Sequence, residues 1–311
     1  MRVTANTFPD SLVTQLNNLA TQQNRLQNQA ATGQRIQLPE DDPSAMRRVM
    51  DLQTESKALQ QYRSNIATLQ EQSNASFAVI KQLKQVSDRA GEIATLADGI
   101  KSPLELKTYA TEISQLIQAA VQYANSQHHG DYMFAGTKSN TPPFAATMDS
   151  SGQITGVTYQ GNDQLAHAEI AKGVTVAAFT VGANTTGSGP RGLISDSRTG
   201  ADFFQHLIDL QKHLQAGDTK SISAQDQAQL AKDEDNFLYH VGETGATQSR
   251  LNDSATIHQN RGQSIETLVS KEVDADMAQT LVRLNESQTA YKAALQSGST
   301  MLQISLLDFL R

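Results

Sequence analysis

The sequence predicts a mainly α protein: an elongated helical bundle or coiled coil formed by both chain ends and middle helices, with a small β-rich insert domain mid-chain. Three observations support this prediction. Apolar residues recur in steps of four and three at both ends, short alternating runs replace that pattern between residues 130 and 196, and the 38% hydrophobic content is slightly low for one large core.

The last stretch of the chain, from Asp274 to Leu310, has the longest apolar repeat. Its rhythm is typical of a coiled-coil seam on a helix about 55 Å long. Such a narrow seam needs a partner helix, because an isolated helix gains little stability from propensity alone. The repeat consists of Met277, Leu281, Leu284, Gln288, Tyr291, Leu295, Gly298 and Leu302.

The N-terminal stretch offers a partner, because its leucines keep the same rhythm from Leu12 to Gly33. Both ends therefore have a thin apolar stripe, which indicates either an antiparallel terminal pair or ends that pack on neighbouring molecules. We predict an assembly interface composed of Leu12, Leu16, Leu19, Leu26, Met277, Leu281, Leu284, Tyr291, Leu295 and Leu302.

The segment QLPEDDP, residues 37–43, predicts a break between helices. Pro39 ends the first helix, and Asp42 with Pro43 begins the next as N-cap and first helical residue. The acidic pair Asp41-Asp42 is also a candidate for acid-base catalysis. We interpret it as capping, because acidic residues before such a helix accept its free N–H groups and suit its dipole.

Two helices form the predicted hairpin that follows. The first runs from Pro43 to about Asp98 and ends at Gly99, and Pro103 starts the second. Helical periodicity returns at about residue 201, breaks at 217–218 and continues from about 224 to 269. The predicted domains are a terminal coiled coil of residues 1–42 with 270–311, a helical bundle of 43–130 with 196–269, and a β-rich outer insert of 131–195.

Within the insert, GSGPRG contains a GxGxxG pattern at Gly187, Gly189 and Gly192. A dinucleotide site needs this loop to connect a strand directly to a helix. Here Pro190 and the following SDSRTG delay the helix, so we interpret the segment as a loop without a cofactor.

Other chemistry finds little support in the sequence. The chain has no cysteine, and no serine lies in a nucleophile elbow. His206 and His213 share a helix face and His128 and His129 are adjacent, but neither pair has i, i+4 spacing or an evident third ligand. We predict solvated or capping histidines, and no catalytic, cofactor-binding or metal site.

The charge and hydropathy patterns also limit the partners. A net charge of −7 with scattered basic residues argues against nucleic-acid binding. The polar start of the chain is unlike a secretory signal, and no apolar run approaches the ~20 residues of a membrane span. The C-terminal MLQISLLDFL could insert into a membrane, but it continues the upstream seam, which favours a partner helix.

The segment from Leu16 to Arg48 resembles the amino-terminal signature of the flagellin superfamily. A heptad helix, a Gly-Arg-Ile turn and an acidic pair follow one another there, and these are Gly33, Arg35, Ile36, Asp41 and Asp42. Filament flagellins usually have alanine after the acids. Pro43 is closer to the hook-filament junction branch, also called hook-associated protein 3.

Other segments resemble the same branch. GDYMFAGTKSNTPPF, from Gly130 to Phe144, and residues 274–310 are similar to the junction proteins, and ETGATQSRLN, from Glu243 to Asn252, is similar to a flagellin helix motif. Residues 145–195 match no pattern of the family.

The resemblance implies an extracellular structural subunit of the bacterial flagellum, secreted by the flagellar type III pathway without a cleaved signal. It implies paired terminal helices around the central channel and an outward-facing insert. The implied partners are other copies of the chain in a ring-like layer, the first hook-filament junction protein, flagellin, and an export chaperone on the C-terminal segment. Two alternatives stay open: a filament-forming flagellin and a secreted membrane-active effector.

Overall fold

The computed structural model describes residues 7–97, 99 and 101–309, and the side chains from residue 10 to residue 300 within them. Helices dominate these residues. The helices are α1 (Thr7–Thr32), α2 (Pro43–Ala97), α3 (Pro103–Ala124), α4 (Phe203–Ala216), α5 (Thr219–Ser221), a π-helical turn (Ile222–Asp226), α6 (Gln227–Val273) and α7 (Met277–Phe309).

Short strands fill the sequence between α3 and α4. They form separate small sheets: β1 pairs with β2, β3 with β4 and β5 with β6, each antiparallel, while β8 lies between β7 and β9. The strands are β1 (Gln127–His128), β2 (Asp131–Tyr132), β3 (Phe144–Met148), β4 (Ile154–Tyr159), β5 (Ala168–Ala171), β6 (Val174–Val176), β7 (Ala183–Asn184), β8 (Ser195–Asp196) and β9 (Ala201–Asp202).

Local sequence signals explain most helix ends. Ser102 and Glu105 form a capping box before α3, in which each side chain accepts a hydrogen bond from the other residue's backbone N–H. Gly217 ends α4 with φ at 72°, a left-handed conformation that glycine adopts without strain. Together, the long helices and the small sheets between α3 and α4 confirm the predicted mainly α fold with a small β insert.

One predicted helix end is wrong. The first helix ends at Thr32, well before Pro39, because Gly33 adopts a φ of 72° there. A left-handed glycine turns the chain away from the helix axis, and this local turn acts before the proline is reached.

The chain divides into two compact units. Unit 1 consists of Met1–Ala58 with Asn260–Arg311, and unit 2 of Leu59–Gln259. The division passes through α2 and α6, so each of these helices contributes residues to both units. The three domain boundaries expected from the sequence remain predictions.

Unit 2 contains an extensive apolar core of side chains from helices and insert. Phe203 and Phe237 are fully buried there, with ring centroids 5.0 Å apart in an edge-to-face arrangement. Phe144 and Tyr159 on the paired strands β3 and β4 extend the core into the insert. The insert is therefore anchored by its aromatic side chains.

The glycines of GSGPRG lie in the loop between β7 and β8, as predicted. The side-chain amide of Asn184 donates hydrogen bonds to the backbone carbonyls of Ser188 and Pro190, both at 2.6 Å. The loop is thus closed on itself, and the next helix starts only at Phe203. Among the described residues, no helix has the length and apolar character to cross a membrane.

Candidate assembly interface in unit 1

Backbone hydrogen bonds join the segment between α1 and α2 to the segment between α6 and α7 in unit 1. Gln34 and Asp274 form an isolated antiparallel β-bridge. On either side of it, the Arg35 N–H donates to the Val273 carbonyl at 2.6 Å, and the Ala275 N–H donates to the Gly33 carbonyl at 2.8 Å. This pairing joins the end of α1 to the start of α7 and sets where the two helices begin to run together.

Charged side chains reinforce this joint. The Arg48 guanidinium donates to both carboxylate oxygens of Glu272, at 2.9 and 2.8 Å, and a second arginine, Arg35, donates to the Glu272 backbone carbonyl at 2.7 Å. The Arg48 hydrogen bond lowers the pKa of Glu272. Because a bidentate pair fixes the planes of both groups, Arg48 orients the start of α2 against the end of α6.

Asp42 has the capping role that its position predicts, and Asp41 has a different structural role. Asp42 accepts a hydrogen bond from the Ala45 N–H at 3.0 Å, and this bond is the main cause that lowers the pKa of Asp42 to about 2. Asp41 accepts from the N–H groups of Gln37 and Leu38, both at 3.0 Å, which lowers its pKa. Asp42 therefore caps α2, whereas Asp41 holds the turn that precedes this helix, and the lowered pKa of each carboxyl makes it a poor general acid at neutral pH.

α1 packs along α7 with its leucine stripe. Leu12, Leu16 and Leu19 are half-buried and Leu26 is buried. The α7 residues that lose solvent exposure, which we call the α7 seam, are Thr280, Leu284, Ser287, Gln288, Tyr291, Ala294 and Gly298.

Small residues in the α7 seam allow the two helices to approach closely. A Cβ on Gly298 would lie 2.5 Å from Cδ2 of Leu12, so this leucine occupies the space that a side chain at 298 would need. Thr280 and Ser287 are buried although both are polar. The pair is thus a leucine ridge on α1 against a partly small-residue groove on α7.

The predicted seam of α7 is only partly the face that packs in the single chain. Leu284 and Tyr291 lie in the α7 seam, whereas Met277, Leu281 and Leu295 are 40%, 48% and 45% exposed. We call these three residues the α7 strip. The predicted side chain of Leu302 lies outside the described side chains.

The offset has a physical cause. The residues that sequence reasoning missed are Thr280, Ser287 and Ala294, which recur with the four-three rhythm of Leu284, Tyr291 and Gly298. These side chains are small or polar and therefore do not stand out as an apolar repeat, yet they leave room for the α1 leucines. The apolar α7 strip is consequently turned aside and stays in solvent.

The two histidines on one face of α4 each meet an aspartate. Nδ1 of His206 lies 2.7 Å from Oδ2 of Asp233, and Nδ1 of His213 lies 2.8 Å from Oδ2 of Asp226. The expectation of a solvated or capping histidine is wrong for His206, which is buried. The sequence held a signal for these pairs, because the two aspartates have the same spacing of seven as the two histidines.

The His206–Asp233 pair predicts a pH dependence. Burial lowers the pKa of His206, but the hydrogen bond and charge of Asp233, together with the charges of Asp202 and Asp209, raise it overall. Burial raises the pKa of Asp233 to about 6. Both groups hold protons more tightly folded than unfolded, so their stabilisation is complete at low pH. It is lost as pH rises, from about 4 for the aspartate and above about 6.5 for the histidine.

We therefore expect the contribution of this pair to the free energy of unfolding of unit 2 to fall by about 1–3 kcal/mol as the pH rises from about 4 to about 8. Urea titrations followed by tyrosine fluorescence measure this, because every tyrosine except Tyr291 lies within residues 59–259. Asp233→Asn should flatten or reverse this dependence of the free energy of unfolding on pH. Asp235→Asn, at an exposed neighbouring position, should not change it. An unchanged pH profile in Asp233→Asn would contradict the assignment.

Comparison with known proteins gives the family context of this geometry. The sequence profile of the bacterial flagellin N-terminal helical region matches residues 3–139. No curated protein sequence matches the chain at a significant level.

Several solved structures share the fold. A Vibrio parahaemolyticus protein assigned to the flagellar hook-associated proteins aligns with a TM-score of 0.62 and 19% identity, over 75% of this chain and 100% of that one. The flagellar junction protein FlgL from Legionella pneumophila aligns with 0.58 and 14%, over 73% and 100%. FlgL from Bacillus cereus aligns with 0.56 and 19%, over 71% and 99%.

These identities establish a common fold and, by themselves, nothing finer. The profile match covers the segment in which the Gly-Arg-Ile turn and the acidic pair lie, and the shared fold extends over most of the chain. The resemblance found in the sequence is therefore confirmed: residues 3–139 match the flagellin N-terminal helical region, and the chain has the fold of flagellar hook-associated proteins.

Proposed function

We propose that the chain is a structural, non-enzymatic subunit of the bacterial flagellum that forms the junction layer between hook and filament. The observation that supports this most directly is the α7 strip. Met277, Leu281 and Leu295 lie on one side of α7 and remain 40–48% exposed after α1 has packed. A row of large apolar side chains beside an occupied seam suits a second helical partner.

In this proposal the partner is the terminal helix pair of a neighbouring copy, so that copies build a ring-like layer. Each terminal pair buries one face within the chain and a second face between chains. The terminal helices alone bury little apolar area, and neighbours supply the remaining stabilisation on assembly. The small apolar area buried by the terminal helices also suits export through the flagellar type III pathway, because weakly folded ends are easily unfolded before secretion.

The layer has a partner on each side. We propose that the first hook-filament junction protein binds on the hook side and flagellin on the filament side. An export chaperone would cover the C-terminal segment before secretion, since that segment contains the exposed apolar row. The protein would then lie outside the cell, with the insert on the outer surface.

A filament-forming flagellin is the second candidate, and the flagellin profile match over residues 3–139 favours it. The two functions differ in self-assembly. A filament subunit polymerises into long filaments, whereas a junction subunit adds a short layer and stops.

Electron microscopy separates these functions. Tagged protein is incubated with isolated hooks that already bear the first junction protein, and separately alone at high concentration. Tag restricted to a short layer at the distal hook tip, without polymer in the protein-only sample, is the expected result. Long filaments from the protein alone would identify a filament flagellin, and absence of tip binding would overturn the junction proposal.

A further inference from the structure

A cluster of three potential metal ligands lies in unit 2, away from the assembly interface. It consists of Glu71 on α2, His128 at the end of β1, and His129 in the turn that follows. One ligand atom from each residue lies within 4.8 Å of the other two. The sequence pattern indicates no third ligand for the two histidines, and the fold supplies one from a helix distant in the chain.

The backbone explains how two consecutive histidines reach the same place. Neighbouring residues of a strand point to opposite faces of the sheet. Here His128 and Asp131 are paired across the β1–β2 hairpin, and both intervening residues have positive φ, 54° at His129 and 93° at Gly130. This tight turn brings the two imidazole rings to a centroid distance of 4.3 Å.

The three groups are free to take a ligand. In the described part of the chain, neither imidazole nor the Glu71 carboxylate has a hydrogen bond or an ion pair with another residue. Glu71 and His129 are exposed, so an ion can enter from solvent, while His128 is half-buried beside the ring of Phe179. The site is therefore accessible on one side and supported on the other.

The donor set indicates the class of ion. Two imidazoles and one carboxylate suit zinc and neighbouring divalent transition metals, whereas calcium and magnesium prefer oxygen ligands. Ligand atoms around a tetrahedral zinc lie about 3.3 Å apart. To bind zinc, the ligand atoms, which lie within 4.8 Å of one another, would have to approach to that distance by rotation of the exposed Glu71 and His129 side chains.

We propose that Glu71, His128 and His129 bind one divalent transition-metal ion, with zinc as the representative ion. The bound ion would complete its coordination with water. It would tie the β1–β2 hairpin, where the insert begins, to the middle of α2. Metal binding should therefore stabilise the hairpin within unit 2, since an ion that binds only the folded state shifts the folding equilibrium.

Isothermal titration calorimetry of the full chain, purified without a histidine tag, tests the proposal with zinc chloride. We expect a stoichiometry of one and micromolar affinity, and no binding of calcium. Glu71→Gln and His129→Asn should each weaken zinc binding about tenfold or more. Asparagine tolerates the left-handed backbone at position 129, so that variant keeps the turn.

His167→Gln is the matched control, because His167 is an exposed histidine of the insert outside the cluster. It should bind zinc as the unaltered chain does. Amide hydrogen exchange provides a second readout, in which zinc slows exchange in the β1–β2 hairpin only when the cluster is intact. Absence of one-to-one binding, or a zinc affinity of Glu71→Gln or His129→Asn equal to that of the unaltered chain, would overturn the proposal.

Discussion

Replacing Leu295 with aspartate is expected to abolish incorporation of the protein into the flagellar layer while leaving the chain folded. Leu295 is 45% exposed and lies outside the α7 seam, so the single chain loses little packing. In the proposed layer, the same side chain would be buried against a neighbouring copy. An unpaired carboxylate there would have to be desolvated, which strongly disfavours association. Binding of tagged variant to hook tips measures the effect.

Leu284→Asp should also prevent incorporation, but for a different reason. Leu284 belongs to the α7 seam, so a charge there disrupts the α1–α7 pair within the chain. Hydrogen exchange should show loss of protection in α7 for Leu284→Asp and normal protection for Leu295→Asp. Gln296→Asp, which adds the same charge one residue further along, serves as the control.

The two results together would test the division between seam and strip. Neither variant should change the urea titration of unit 2, because both positions belong to unit 1. Normal incorporation of Leu295→Asp would refute an intermolecular role for the α7 strip. Loss of the unit 2 transition in either variant would show that the ends and the middle do not fold independently.

Phe237→Ala is expected to lower the free energy of unfolding of unit 2 by about 3–5 kcal/mol. Phe237 is completely buried in α6 and packs edge-to-face on Phe203 of α4. Truncation would remove this contact and leave a cavity that rigid neighbouring helices fill poorly. The urea midpoint followed by tyrosine fluorescence gives the change.

Leu238→Ala is the control for this measurement. The residue lies next to Phe237 on the same helix but is 47% exposed. Its truncation should change the free energy of unfolding by no more than about 0.5 kcal/mol. Equal effects of the two substitutions would mean that α6 does not turn Phe237 into the core.

The sequence by itself determined the helices and most of their ends. The prolines at 43 and 103, the capping residues Asp42 and Ser102, and Gly217 act through bonds and steric limits a few residues away. Such local effects depend only on residues that are close in the chain and need no tertiary contacts. One segment that supported the family resemblance, with the Gly-Arg-Ile turn and the acidic pair before Pro43, is determined in the same local way.

Only the tertiary structure decided which face of α7 meets α1. The α7 seam follows a four-three rhythm and the α7 strip lies on a neighbouring face of the same helix; which face packs depends on the fit between the α1 leucines and small residues such as Gly298. The same holds for the buried His206–Asp233 pair and for the approach of Glu71 to His128. These contacts join residues far apart in the chain, and their geometry exists only after the helices and the insert have packed.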